Sequence, residues 1–469
     1  MMTMIRADQV SYRYVDQHGG LPETSLAVMP GETWLVSGSS GSGKSTLARC
    51  LQGLIPHLYR GTMTGRVLLN DFPTDTTPMW KLAEQAGMVF QNPSAQILGE
   101  TVALEIIFGL EQLGWETRHI EERLEAVLAT FQLGAMRERS PHTLSDGEKQ
   151  KLALAAVMAR QPAALILDEP LSMLDVTAAG ELIQELERIR REGTAVVLFE
   201  HREAQLRMIA GLQQLDLEGA PHLSTPEGLN PPWESGVPFQ VHVRDLGVTL
   251  GGRRILDQLN IDLQGGELVA IVGRNGTGKT TLLRSMIGLQ KHDGVVELNG
   301  HGEDLDMGLV FQNPDLQLFN PTVRDELRFR IPFPDETLYR WILDVLALSP
   351  YEHTPPLLLS EGEKKRLGLG VVLMRQPRHG ILLDEPSLGQ DARHRAILMR
   401  MLRAMSDQGR LVMLTTHDLD LARQADRVIL LGQEGIAADG PSRDIFSRPA
   451  LWESVGLKMG TAPERGLAS

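Results

Sequence analysis

A chain of 469 residues exceeds one ordinary hydrophobic core, so we expect two or three domains. The composition, 42% hydrophobic and 23% charged, is typical of a soluble globular protein. A net charge of −14 argues against a nucleic-acid partner and against binding to acidic lipids through a basic patch.

The single cysteine, Cys50, cannot form an internal disulfide, which fits a reducing compartment. Its position on a predicted helix favours a buried, apolar role over a reactive thiol. The first residues lack the apolar segment of a secretory signal, and the longest apolar runs fall short of the roughly 18 residues that span a bilayer. We therefore expect a chain that is not itself a membrane protein, which leaves a membrane-bound partner open.

Five motifs occur twice and in the same order, so the chain is predicted to contain two copies of one plan. The pairs are GSSGSGKST and GRNGTGKTT, MVFQNPSAQ and LVFQNPDLQ, LSDGEKQK and LSEGEKKR, LILDEPLSMLD and ILLDEPSLGQD, and VVLFEHRE and VMLTTHDL. A Pro-, Gly- and Ser-rich stretch separates the copies. We predict a first domain at residues 1–220, a linker at 221–238, and a second domain with a C-terminal tail at 239–469.

Each copy alternates apolar strand patterns with longer helical patterns, which predicts an α/β fold with a mainly parallel sheet and a helical subdomain. The predicted motif-bearing strands are TWLVSG, ALILD and AVVLFE in the first copy. Those of the second copy are LVAIVG, GILLD and LVMLTT. The first copy carries about 14 extra residues between its glycine-rich loop and its FQNP motif.

The first repeated motif fits G-x-x-x-x-G-K-[ST] after a strand and before a helix, where backbone N–H groups and the helix N-terminus can hold phosphate. A flexible Gly/Ser turn is the alternative, and two matches in one context exclude it. The predicted ATP-binding residues are Gly38, Ser39, Ser40, Gly41, Ser42, Gly43, Lys44, Ser45 and Thr46, and Gly273, Arg274, Asn275, Gly276, Thr277, Gly278, Lys279, Thr280 and Thr281. Of these, the two lysines reach the β- and γ-phosphates, and Ser45 and Thr280 ligate Mg²⁺.

Two carboxylates end an apolar strand in each copy. Asp168 and Asp384 are predicted to hold the Mg²⁺ shell, and Glu169 and Glu385 to polarise the attacking water. A strand end with solvated acids is the alternative, which the distance from the phosphate loop disfavours.

The serine and glutamate of LSxGE are spaced i, i+3 before a predicted helix. This spacing is typical of an N-cap with a capping box, and alone it would favour that purely structural role. The same helix start also suits a γ-phosphate, and both roles can hold together.

The ordered motifs, twice in one chain, resemble those of the ATP-binding-cassette ATPases. The resemblance implies two cassettes packed head to tail, each ATP lying between the phosphate loop of one copy and the LSxGE segment of the other. One predicted site combines Lys44, Gln91, Asp168, Glu169 and His201 with Ser360, Gly362 and Glu363. The other combines Lys279, Gln312, Asp384, Glu385 and His417 with Ser145, Gly147 and Glu148. Gln91 and Gln312 are expected to join the Mg²⁺ ligands, and both sites are expected to be competent.

Some positions depart from the family pattern or vary between copies. The usual LSGGQ is LSDGE or LSEGE, so Asp146, Glu361 and the two glutamates that end the motif add negative charge near a γ-phosphate. Gln390 replaces the usual leucine after the second DEP motif. Tyr14 is expected to stack on adenine, whereas Leu250 stands at the matching position of the second copy, where we expect weaker stacking. His201 and His417 end equivalent strands, which favours a γ-phosphate switch over a structural role.

The QNPxxQ motif followed by TV, the GLIPHLYRG segment and the tail GPSRDIFSRPALWESVGL resemble the duplicated ATPase subunits of energy-coupling-factor importers. That resemblance implies a peripheral subunit on the cytoplasmic face of the cell membrane, with a transmembrane coupling protein and a small substrate-binding membrane protein as partners. Residues 92–105 and 313–326 would receive helices of the coupling protein. One chain would supply both cassettes, and the cargo would be a vitamin, a vitamin precursor or a metal ion, with a lean towards a thiamine precursor.

Two alternatives stay open. A soluble twin-cassette ATPase acting on ribosomes or nucleic acid would usually carry a charged inter-domain helix or a cysteine-rich metal domain. A sugar-importer twin ATPase would often have one degenerate copy. The short linker, the acidic charge and the intact motifs argue against both.

Overall fold

The computed structural model describes residues 3–15, 20–39, 41–171, 174, 176–200, 206, 208–217, 228–299 and 305–457. Residue contacts divide the chain into two units, Met1–Leu223 and Ser224–Ser469. The predicted linker falls partly outside the described residues, and its described part, 228–238, belongs to the second unit. No helix in the described ranges is both long and apolar enough to cross a membrane.

The first unit combines an antiparallel sheet with a parallel one. Its described strands are β1 Ile5–Tyr14, β2 Gly20–Val28, β3 Thr33–Gly38, β4 Gly61–Leu69, β5 Phe72–Pro73, β6 Ala86–Val89, β7 Ala164–Asp168, β8 Ala195–Phe199 and β9 Gln213–Leu217. Its described helices are α1 Lys44–Gln52, α2 Leu54–His57, α3 Met79–Gln85, α4 Val102–Gln112, α5 Thr117–Thr130, α6 Asp146–Ala159 and α7 Val176–Arg191. The antiparallel sheet has the order β2–β1–β4–β5, and the parallel sheet β6–β7–β8–β3–β9.

The second unit repeats this plan. Its described strands are β10 Gln240–Leu250, β11 Arg253–Gln264, β12 Leu268–Val272, β13 Asp293–Leu298, β14 Met307–Val310, β15 Gly380–Asp384, β16 Leu411–Thr415, β17 Arg427–Gly432 and β18 Gly435–Pro441. Its described helices are α8 Lys279–Met286, α9 Val323–Arg328, α10 Glu336–Val345, α11 Glu361–Met374, α12 Ala392–Asp407, α13 Leu419–Arg423, α14 Ser442–Phe446 and α15 Pro449–Ser454. The sheets have the orders β11–β10–β13 and β14–β15–β16–β12–β17–β18.

The central strands of the two larger sheets are parallel and mostly apolar, because both faces of each sheet are covered. In the second unit the edge strand β18 runs antiparallel to β17. In the first unit, Val36 and Val197 face α1 and the antiparallel sheet, while Leu35 and Leu198 face α4–α6 and α7. The fold class that the repeats predicted is therefore the observed one, an α/β core with a helical subdomain in each unit.

Strand order determines where the predicted site residues meet. In each parallel sheet the strand before the phosphate loop, β3 or β12, pairs with β8 or β16, which in turn pairs with the acid-bearing strand, β7 or β15. Parallel strands end at the same edge, so the phosphate loop, the two carboxylates and the strand that precedes the histidine converge there.

Candidate ATP sites

Both phosphate loops lead into a helix through a glycine in the left-handed region. Gly43 (φ 98°) and Gly278 (φ 96°) are the N-caps of α1 and α8. A Cβ on Gly43 would lie 2.6 Å from the carbonyl oxygen of Gly20, so a side chain there would strain the turn and clash. The glycines thus allow the close approach that a phosphate-binding loop needs.

The loop lysines are held in the same way in both units. The Lys44 ammonium donates to the carbonyl oxygens of Gly38 (2.8 Å) and Ser39 (3.0 Å). Lys279 donates to the equivalent oxygens of Gly273 (2.8 Å) and Arg274 (3.1 Å). The side chains are therefore buried within their loops, where a bound phosphate would meet them. Ser40 lies outside the described residues.

The acid pair of the second unit has a dense hydrogen-bond network. Asp384 accepts hydrogen bonds from the hydroxyls of Thr280, at Oδ2 (2.8 Å), and Thr415, at Oδ1 (2.7 Å). His417 Nε2 lies 3.1 Å from Glu385 Oε1 and 3.4 Å from Lys279 Nζ. Six predicted or neighbouring groups of this unit are thus brought together at one sheet edge.

The acid pair of the first unit is arranged differently. Ser45 bonds to the carboxylate of Asp168, and Gln91 Nε2 donates to Glu169 Oε2 at 2.7 Å. Burial, followed by the neighbouring Glu169, raises the pKa of Asp168 to about 6, although the Ser45 hydrogen bond lowers it. Burial also raises the pKa of Asp384, against the hydrogen bonds from Thr415 and Thr280. His201, predicted as the histidine of this site, lies outside the described residues.

Glu169 (φ 48°) and Glu385 (φ 49°) share an unusual backbone conformation. A left-handed backbone conformation at a residue other than glycine costs roughly 1–3 kcal/mol of conformational free energy. Such residues are uncommon and often lie at functional sites. Other equivalent pairs share this conformation, for example Gln161 (φ 55°) and Gln376 (φ 49°), so it belongs to the repeated fold as well as to the site.

Oxygen donors dominate the metal-binding part of each site. A carboxylate and a hydroxyl on adjacent elements, Asp168 with Ser45 and Asp384 with Thr280, are the ligand types that Mg²⁺ prefers. The residues present therefore fit Mg²⁺ bound with a nucleotide phosphate. Gln312, also predicted as a ligand, is half-buried after β14.

Both LSxGE segments form a complete capping box. Ser145 caps α6 and Ser360 caps α11, and each backbone N–H donates to the glutamate three residues on, Glu148 at 2.7 Å or Glu363 at 2.8 Å. The structural role considered from the sequence is present in both units. It also occupies the two glutamates that replace the usual glutamine. Glu361 lies 3.7 Å from Lys364, which offsets its charge. Gly147 and Gly362 lie in the first turns of these helices.

Tyr14 ends β1 beside the start of α1. Its hydroxyl lies 3.3 Å from Thr46 Oγ1 and accepts a hydrogen bond from Arg49 at 3.0 Å. Its ring packs edge-on against Tyr12, with 4.8 Å between centroids. Leu250, at the corresponding end of β10, is exposed and has no hydroxyl for such bonds. Stacking on adenine stays a prediction for Tyr14.

Sequence reasoning missed three polar contacts. The sequence pattern places Thr415 in a strand and gives no sign of its contact with Asp384. Gln390 departs from the family pattern, and its Nε2 donates to the carbonyl oxygen of Gly362 at 2.9 Å. Glu200, fully buried, accepts from the backbone N–H of Leu171 at 3.1 Å. The differences between LFEH and LTTH in the repeat alignment were the available signal for the first and third.

Comparisons with known proteins agree with this geometry. The sequence profile of the family described as ABC transporter matches residues 21–172 and 256–388. A putative ABC transporter ATP-binding protein of Methanosarcina acetivorans is 31% identical, across 97% of this chain and 88% of the relative. The putative HMP/thiamine import ATP-binding protein YkoD of Bacillus subtilis is 32% identical, across 95% of this chain and 93% of its own.

Solved structures share the tandem arrangement at lower identity. The archaeal ribosome recycling factor aABCE1, in complex with the ribosomal stalk protein aP1, has a TM-score of 0.62 and 20% identity over 98% of this chain and 95% of its own. RNase-L Inhibitor has a TM-score of 0.60 and 21% identity over 96% and 93% of the two chains. At these identities the likeness extends to the fold alone.

Proposed function

This chain belongs to the ABC transporter family as a twin-cassette ATPase, and we propose that it powers a membrane import system for a small micronutrient. In this proposal it acts at the cytoplasmic face of the cell membrane, bound to a transmembrane coupling protein and a small substrate-binding membrane protein. In this proposal each ATP site is completed by the LSxGE segment of the other cassette, as the family resemblance implies.

The observation that carries the transport proposal is an apolar side chain presented in the same way by both units. Leu98 is 74% exposed, and its backbone N–H donates to the buried carboxylate of Glu105 at 2.8 Å. Phe319 is 67% exposed, and its N–H donates to the buried Glu326, also at 2.8 Å. The next N–H in each chain segment bonds to the same carboxylate at 2.6 Å.

Single exposed apolar residues are ordinary, but this repetition is not. In each unit a buried acid fixes the backbone that carries the apolar side chain. Both side chains follow the glutamines at 91 and 312, within the segments 92–105 and 313–326. We propose that an apolar helix of a membrane partner binds this surface, where the backbone is fixed and the exposed side chain is apolar.

A hydrogen bond at the start of the first segment supports coupling to the ATP sites. Gln91 directly precedes segment 92–105, and its side chain donates a hydrogen bond to Glu169. In this proposal a shift of Glu169 on hydrolysis is passed through Gln91 to the segment that holds Leu98. Bound Mg²⁺ would supply charge for the phosphates, and Glu169 and Glu385 would orient the attacking water.

The cargo assignment rests on the relative from Bacillus subtilis, whose name includes HMP/thiamine import. We propose a thiamine precursor as the first cargo to test. The import role itself does not depend on this choice.

The first test is to purify the tagged chain from detergent-solubilised membranes and identify co-purifying proteins by mass spectrometry. Recovery of a pair of small polytopic membrane proteins supports the proposal. Recovery of ribosomal proteins, or of no membrane protein, overturns it and leaves the ATPase assignment standing.

A surface variant sharpens that test. Leu98→Glu combined with Phe319→Glu is expected to abolish recovery of the membrane partners while ATP binding persists. Leu58→Glu combined with Val237→Glu is the matched control, because both side chains are similarly exposed away from these segments. Equal loss in the control, or none in the test variant, contradicts the proposed surface.

A further inference from the structure

The two ATP sites differ at one position fixed by strand pairing. In the second unit Asp384 pairs with Thr415 across the parallel strands β15 and β16. In the first unit Asp168 pairs with Phe199 across β7 and β8. The register is the same, so a hydroxyl in one site corresponds to a phenyl ring in the other.

The Thr415 hydroxyl connects the two acidic residues of its site. It donates to Asp384 Oδ1 at 2.7 Å and accepts from the backbone N–H of Glu385 at 2.9 Å. Thr280, the predicted Mg²⁺ ligand, donates to the other oxygen of Asp384 at 2.8 Å. Both carboxylate oxygens of Asp384 are thereby oriented by hydroxyl groups of the chain itself.

Phe199 cannot make these contacts. Its side chain is fully buried in the apolar cluster beneath α1, and its backbone carbonyl accepts the N–H of Glu169 at 2.8 Å instead. The N–H after Asp168 thus donates to a backbone carbonyl, whereas the N–H after Asp384 donates to the Thr415 hydroxyl. Asp168 faces a phenyl ring at the position where Asp384 faces that hydroxyl.

We propose that Thr415 is a positioning residue for the Mg²⁺ ligand Asp384, and that the Phe199 counterpart makes the two Mg·ATP sites unequal, with the second unit binding the metal more tightly. A hydrogen bond to a ligating carboxylate fixes its orientation. Loss of such an outer contact typically weakens metal affinity by 10–100-fold. The inference concerns the ATP sites only, so it does not depend on the transport proposal.

The test separates the two sites in the full-length chain. Lys44→Ala leaves the second unit as the competent ATP site, and Lys279→Ala leaves the first. Mn²⁺ is titrated into each variant with a non-hydrolysable ATP analogue, and bound metal is read by electron paramagnetic resonance. Tighter Mn²⁺ binding is expected in the Lys44→Ala protein. Equal affinities, or tighter binding in the Lys279→Ala protein, overturn the inference.

Two substitutions at Thr415 then test its hydroxyl, both in the Lys44→Ala background. Thr415→Val keeps the shape, and roughly 10–100-fold weaker Mn²⁺ binding is expected with analogue binding in EDTA unchanged. Thr415→Ser keeps the hydroxyl, and affinity within about threefold of the parent is expected. Wild-type affinity in the valine variant, or no recovery in the serine variant, refutes the positioning role. A shared thermal midpoint across the three proteins separates this effect from unfolding.

Discussion

The side-chain amide of Gln91 donates a 2.7 Å hydrogen bond to the carboxylate of Glu169, joining the glutamine motif to the proposed water-polarising acid. The two residues are 78 positions apart in sequence and meet because β6, which precedes Gln91, pairs with β7. The glutamine therefore helps to hold the orientation of the Glu169 carboxylate.

Removing that amide should lower ATP turnover. A hydrogen bond to a charged group contributes about 1.5–3 kcal/mol, so Gln91→Ala is expected to slow the first site by roughly tenfold or more. Steady-state phosphate release in the Lys279→Ala background measures it. Gln112→Ala, at an exposed glutamine, is the matched control. Unchanged turnover in the test variant would show that the contact is dispensable.

Each proposed general base should contribute separately. Glu169→Gln or Glu385→Gln is expected to lower turnover partially, because the other site continues to hydrolyse ATP. The double variant should lose roughly 10²-fold or more, the usual contribution of a general base. Phosphate release measures all three, with the exposed Glu121→Gln as control. Full activity in either single variant would remove the claim of two competent sites.

The dual role of Ser360 can be separated by two substitutions. Ser360→Ala removes the cap of α11 and should lower the free energy of unfolding by about 1 kcal/mol. Ser360→Asn retains capping ability, so its stability should match the parent. Both should lower turnover, because both remove the hydroxyl expected to meet a phosphate. Denaturant unfolding measures the capping role, and phosphate release measures the role in ATP hydrolysis. Full turnover in the alanine variant would show that Ser360 acts only as a helix cap.

The Cys50 thiol should be inert in the folded protein. It is fully buried in α1, and burial raises its pKa from the ordinary 9.0 to about 12. The folded chain keeps the proton up to about pH 12, whereas the unfolded thiol ionises near pH 9. The stability contribution of this group therefore falls as pH rises above about 9. Maleimide labelling at pH 8 should be negligible until denaturant is added, and rapid native labelling would contradict the burial.

Local patterns predicted much of the fold and the site. The strands around GSSGSGKST and LDEP follow from apolar runs that end in glycine or acid, and the repeats identified the equivalent residues of each cassette. The capping boxes were readable because Ser and Glu lie three residues apart. Each of these patterns lies within one helix, strand or turn, where residues that are close in sequence are also close in space.

What sequence did not predict depends on pairing between distant elements. The contact of Thr415 with Asp384 requires the register of β15 against β16, and that of Gln390 with Gly362 requires the packing of two segments 28 residues apart. A hydroxyl or amide gives no local sign of such a partner. The left-handed glutamates are similar, since nothing in LDEP alone reveals φ near 50°.

The segment before the second cassette determines where that cassette can be separated from the first. Trp233 is buried beneath the guanidinium of Arg410, and the Gly236 N–H donates to the Gln408 carbonyl at 2.7 Å. A fragment starting at residue 239 would lose these contacts, and emptying a buried tryptophan site costs roughly 3–5 kcal/mol. A fragment starting before residue 228 would keep them, so the eleven residues 228–238 separate a stable isolated cassette from a marginal one.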